Sequence, residues 1–168
     1  MNSNIKNRAI HEAGHGVLCH YLGVIPKELT IKEEGEDGFG KFKDPLNDFG
    51  FENSTLSTEN KTKSLAMIYI AGREALLKMQ TEKPAIENFH FDYQQAENCL
   101  SVLSSTNEEK KTHIKNLEEE IKEILANDER WRGVEKLAEE LISKKTIPWK
   151  DAKSILQQLL LRPRFRIF

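Results

Sequence analysis

The chain has 168 residues, 31% charged and 38% hydrophobic, with a formal net charge of -2. That balance excludes a globally basic nucleic-acid surface, and no apolar run approaches the ~20 residues that span a bilayer, so neither nucleic acid nor a membrane span is expected and the default location is cytoplasmic. The length suits one domain over residues 1–161, helical in its C-terminal half from about 107, followed by a basic and apolar tail at 162–168.

The first predicted helix runs from Ser3 or Asn4 to Leu22, with Gly23 ending it. Ile10, Val17, Leu18 and Leu22 fall at helical spacing. Beside that stripe lies His11-Glu12-Ala13-Gly14-His15, a His-Glu-x-x-His pattern. Positions four apart on a helix are separated by about 40° in azimuth and roughly 6 Å along the axis. Both imidazoles can therefore face one metal ion, and zinc accepts imidazole nitrogen at ~2.0–2.1 Å. Glu12 lies about 100° round the helix, where a carboxylate can take a proton from water without occupying a coordination position. Cys19, a further turn along, is too far up the axis to share that ion and reads as core packing, and His20 faces elsewhere. With Cys99 it makes two cysteines, expected as reduced, buried thiols. Gly14 and Gly16 each cost about 1 kcal/mol in a helix, which points to close approach of another backbone or of substrate.

Residues 24–56 read as irregular structure with short strands. Glu28–Lys32 and Phe39–Lys43 alternate and suggest a hairpin around the acidic turn 33–38, and Asp44–Leu56 reads as a loop. A second long helix is expected over Thr58–Lys78, capped by Ser57 or Thr58, with Leu65, Ile68, Ala71, Ala75 and Leu76 buried. Gly72 allows this helix to cross the first closely, and Arg73 and Glu74 read as ion-pair residues. After a loop over 81–91, a helix over Asp92–Leu103 carries Ala96, Cys99, Leu100 and Leu103 on one face, with Asp92 heading that face. A carboxylate there needs a partner: it caps the helix, or it is a third metal ligand. His90, two residues earlier and outside the expected helix, is the rival ligand. Helices then follow over 108–127, with a narrow apolar stripe, and over 130–144. Thr146-Ile147-Pro148-Trp149 reads as the start of a last helix, with Pro148 in its first turn, ending near Leu161.

Several of these segments resemble the peptidase domain of FtsH-type zinc metalloproteases. Asn7-Arg8-Ala9-Ile10-His11-Glu12-Ala13-Gly14-His15-Gly16 resembles the start of that domain. Ile70-Ala71-Gly72-Arg73-Glu74-Ala75 resembles its Gly-Gly-Arg-x-Ala-Glu segment, although Leu76 and Leu77 stand where acidic residues usually follow. Phe91-Asp92-Tyr93-Gln94-Gln95-Ala96 is similar to the Asn-Asp-Leu-x-x-Ala segment, and Trp131, Val134, Glu135, Leu137, Ala138, Leu141 and then Thr146-Ile147 match the C-terminal half in order.

The resemblance implies a mostly α, zincin-like fold with a small β-hairpin or sheet. It implies Zn2+ held by His11, His15 and Asp92, with Glu12 as the catalytic base. It implies a substrate-pairing strand around Gly40, Lys41 and Phe42, where an extended polypeptide adds to an exposed edge. His90 has no counterpart in the family and stands as a further substrate-binding residue. The implied function is zinc-dependent cleavage of unfolded or flexible polypeptides. The 168 residues carry no Gly-x-x-x-x-Gly-Lys-Ser/Thr loop, so a separate ATPase is an expected partner, and homo-oligomer formation is open. Two alternatives stand beside this reading: a catalytically silent zinc-binding regulatory or interaction module, and a helical interaction protein with no metal.

Overall fold

The structure is a computed structural model that describes residues 3–31, 49–53, 55–79, 90–104 and 106–160. In chain order the elements are α1 (Ser3–Leu22), β1 (Val24–Ile25), β2 (Glu28–Thr30), β3 (Gly50–Phe51), α2 (Thr58–Met79), α3 (His90–Leu100), α4 (Asn107–Ala126), α5 (Asp128–Lys144), β4 (Thr146–Pro148) and α6 (Trp149–Leu160). The described residues are thus mostly helical, with two small antiparallel sheets, β1 with β3 and β2 with β4. None of these helices is long and apolar enough to cross a membrane.

Local chemistry sets the helix ends. Gly23 follows α1 with φ +66°, a conformation that side chains with a Cβ rarely adopt. Ser57 Oγ accepts from the Asn60 amide at the start of α2. Thr106 and Glu109 form a reciprocal capping box on α4. Asn127 ends α4 and caps α5, its Oδ1 accepting from the Glu129 and Arg130 amides at 3.1 Å each.

Packing centres on α1, which lies against α2 on one side and α5 on the other. The crossing with α2 is very close. A Cβ built on Gly14 would stand 2.7 Å from Ala75 Cβ and 2.9 Å from the Ala71 carbonyl oxygen. The glycine in mid-helix, expected from sequence to mark such an approach, is offset by this contact. From Leu65 to Gly72, α2 is buried all round, because α3 and α4 cover the faces that α1 leaves. Leu137 and Leu141 of α5 and Leu29 of β2 are fully buried around α1, and α6 adds Trp149, Ala152 and Leu156. Truncating one such leucine to alanine costs about 2–5 kcal/mol.

The strand pairing departs from the sequence reading at two places. The partner of β2 among the described residues is β4, with Leu29 opposite Ile147 and Glu28 opposite Pro148; the expected partner segment 39–43, with Gly40, Lys41 and Phe42, lies outside the described residues. Thr146–Pro148 is correspondingly a strand, not the first turn of the last helix. Its central residue, Ile147, is 1% exposed against Leu29 at 0%, and that burial outweighs the helix-start signal of Pro148. Pro148 ends the strand, and the Trp149 amide donates to the Lys27 carbonyl as α6 begins. Finally, Gly50–Phe51, inside the expected loop, pairs with β1.

Candidate metal centre

The two histidines of α1 face α2. His15 is buried, and its Nδ1 lies 2.6 Å from the Ile68 carbonyl oxygen. A carbonyl can only accept, so Nδ1 carries the proton and Nε2 presents its lone pair to the site. Burial pushes the His15 pKa down to about 4, helped by the neighbouring His11, so the ring is neutral near pH 7. His11 Nε2 lies 3.0 Å from His15 Nε2, with the rings edge to face. Burial lowers the His11 pKa, but the hydrogen bond to Asp92 and the charges of Glu12 and Asp92 outweigh it, and the net shift is upward.

The α2 backbone sets how close the rings sit. A Cβ on Gly72 would meet His11 Cε1 at 2.5 Å and His15 Nε2 at 2.7 Å. Gly72 is therefore the one residue type whose backbone can lie against both imidazoles.

Helix α3 brings in Asp92. The helix begins at His90, two residues earlier than the sequence predicts, so Asp92 is a first-turn residue and not a cap. Its Oδ2 lies 2.9 Å from His11 Nε2 and 3.7 Å from His15 Nε2. Burial raises the Asp92 pKa, but the hydrogen bond and charges from the two histidines hold it below its ordinary value, so it is an anion. Two imidazole nitrogens and a carboxylate oxygen thus face one point, and their lone pairs need an electrophile between them. A proton on His11 is one way to supply it, and a metal ion is the other. The sides of 3.0, 2.9 and 3.7 Å form a triangle whose corners lie about 1.9 Å from its centre. Zinc bonds nitrogen and oxygen at ~2.0–2.2 Å. The donor set and its spacing fit zinc.

Glu12 lies beside the triangle. One of its carboxylate oxygens and a ring nitrogen from each of His11 and His15 all lie within 4.8 Å of one another. Two carboxylates therefore compete for third ligand, and Asp92, in hydrogen-bond contact with His11, is the closer fit. Glu12 Oε2 is buried with no hydrogen-bond partner among the described residues. Burial pushes the Glu12 pKa up to about 7, with His11 opposing and Asp92 adding to the rise.

The other residues singled out from sequence lie apart. His90 is exposed at the first residue of α3, not in a loop ahead of it, and is not part of the cluster. Cys19 is buried, and His20 interacts electrostatically with Glu52 and Lys153. The sequence reading missed Tyr93 and Glu118, which join Arg73 and Glu74 in a half-buried network beside Asp92. No protein-family model matches the chain, and no curated protein sequence matches it significantly.

Proposed function

We propose that the chain is a zinc-dependent endopeptidase of the FtsH type that cleaves unfolded or flexible polypeptides. The observation that carries this reading is the convergence of His11 Nε2, His15 Nε2 and Asp92 Oδ2 at zinc spacing, with the Glu12 carboxylate beside them. The motif order that resembles the FtsH-type peptidase domain supports it independently of the geometry.

His11, His15 and Asp92 would hold the ion, and zinc in that position supplies a Lewis acid for activating water and polarising the scissile carbonyl. The chain's own residues do the rest. The Ile68 carbonyl fixes the tautomer and orientation of His15. Glu12 accepts the proton of the water whose oxygen attacks the carbonyl carbon. It returns that proton to the nitrogen as the C–N bond breaks. A carboxyl whose pKa burial has brought up to about 7 is suited to both transfers near neutral pH.

The intact Glu12 is what separates an enzyme from a silent zinc module, because a structural site needs only ligands. The test is hydrolysis of an unstructured peptide by wild type and by Glu12→Gln, each with its zinc content measured. The proposal expects cleavage by the first alone. Zinc in both and cleavage by neither would favour the silent module.

A further inference from the structure

Asp92 shares the first turn of α3 with Tyr93, and Tyr93 is tied into a cluster that the metal site itself does not use. Arg73 Nη1 on α2 donates to Tyr93 Oη and to Glu74 Oε1, each at 2.8 Å, and to Glu118 Oε1 on α4 at 3.3 Å. Tyr93 Oη in turn donates to Glu118. The directions are forced, since a guanidinium only donates and an ionised carboxylate only accepts. The guanidinium also lies over the Tyr93 ring, 5.3 Å from its centroid. The Glu74 side chain is 1% exposed, Arg73 21% and Glu118 22%, so these contacts are far less screened than surface pairs.

Three helices are therefore joined at the residue next to Asp92. The apolar contacts of Ala96, Cys99 and Leu100 hold the later turns of α3. Its first turn is held less firmly: His90 is exposed, Phe91 is 43% exposed, and Tyr93 is only partly buried against the core. A helix rises about 1.5 Å per residue, whereas metal–ligand distances tolerate only ~0.2 Å, so slight fraying of that turn would withdraw Asp92.

We propose that Arg73, Tyr93 and Glu118 form a clamp that positions Asp92 for metal binding, with the Tyr93 hydroxyl as its link between α2 and α4. This inference rests on the reading of His11, His15 and Asp92 as metal ligands. Tyr93 is a positioning residue, and Phe in its place keeps the ring over Arg73 while removing the hydroxyl.

The experiment uses the full chain as wild type, Tyr93→Phe, Glu118→Gln and Asp92→Ala. Zn2+ affinity is measured by chelator competition, the visible absorption of the Co2+-loaded protein reports ligand geometry, and far-UV circular dichroism with a melting curve reports the metal-free fold. Tyr93→Phe and Glu118→Gln should each weaken Zn2+ binding by about 10-fold or more, as expected for partners that orient a ligand. The Co2+ bands should shift, with metal-free secondary structure unchanged. Wild-type affinity and spectrum in both variants, alongside weakened binding in Asp92→Ala, would overturn the clamp and leave the ligand reading intact. Equal affinity in wild type and Asp92→Ala would overturn the ligand reading and the clamp with it. If Tyr93→Phe loses helix content, Glu118→Gln decides the matter, since it changes one atom and keeps the side-chain volume.

Discussion

Replacing Gly72 with alanine should separate metal binding from folding. The added Cβ would stand 2.5 Å from His11 Cε1, 2.6 Å from His11 Nδ1 and 2.7 Å from His15 Nε2. Comfortable carbon contacts begin near ~3.5 Å, so the rings must retreat by about 1 Å. A metal site accepts changes of about 0.2 Å in its bonds, so both histidines would leave bonding range together. The loss of affinity should exceed the ~10–100-fold typical of disturbing one orienting partner. Stability should change less. Alanine gains about 1 kcal/mol over glycine in a helix interior, while overpacking costs about 1–3 kcal/mol, for a net loss of roughly 0–2 kcal/mol. At this chain length that is a fall of no more than about 8 °C in the metal-free Tm. The assay is chelator-competition zinc titration with a melting curve on the same sample. Gly72→Ala that binds zinc with wild-type affinity would refute the claim that the α2 backbone sets the imidazole positions.

Further outcomes follow from the same geometry. His15→Ala and Asp92→Ala should each lose zinc on mild chelation, and full retention by either would remove that residue from the ligand set. The 168-residue chain should degrade a disordered protein without nucleotide and spare a stable fluorescent domain, since opening such a domain costs ~5–15 kcal/mol; equal degradation of both would show an unfolding activity outside this account. Burial holds the Glu74 carboxyl above its ordinary 4.5 despite the Arg73 charge, so the folded state binds that proton more tightly than the unfolded chain. Its stabilising contribution is complete below pH 4.5 and is lost as pH rises through the folded pKa, and Glu74→Gln should flatten this part of the stability–pH profile in denaturant unfolding. An unchanged slope would assign the pH dependence to other groups.

Local signals carried the helices and the heart of the site. Ile10, Val17 and Leu18 at helical spacing, with Gly23 behind them, define α1, and the histidine pair is oriented by that same periodicity. Gly14 and Gly72 announced a close crossing because glycine inside a helix needs a reason. What escaped was non-local. Thr30 and Thr146, whose hydroxyls lie 2.8 Å apart, are separated by 116 positions, so nothing near Thr146 reveals that it belongs to a strand. The α3 start escaped because His90 and Phe91 carry no capping signal. Tyr93 and Glu118 escaped because a tyrosine on one amphipathic helix and a glutamate on a highly charged one look like packing and solvated surface until the fold sets them beside Arg73.

The most direct test of the central claim is the rate of cleavage of a disordered protein by zinc-loaded wild type against zinc-loaded Glu12→Gln. Glutamine nearly preserves the volume of Glu12 but cannot take up the proton, and loss of a general base typically costs about 10²-fold or more. The account predicts one zinc per chain in both proteins, with cleavage by wild type and at least that reduction in Glu12→Gln. Equal rates in the two, or a wild type that binds no zinc, would contradict it.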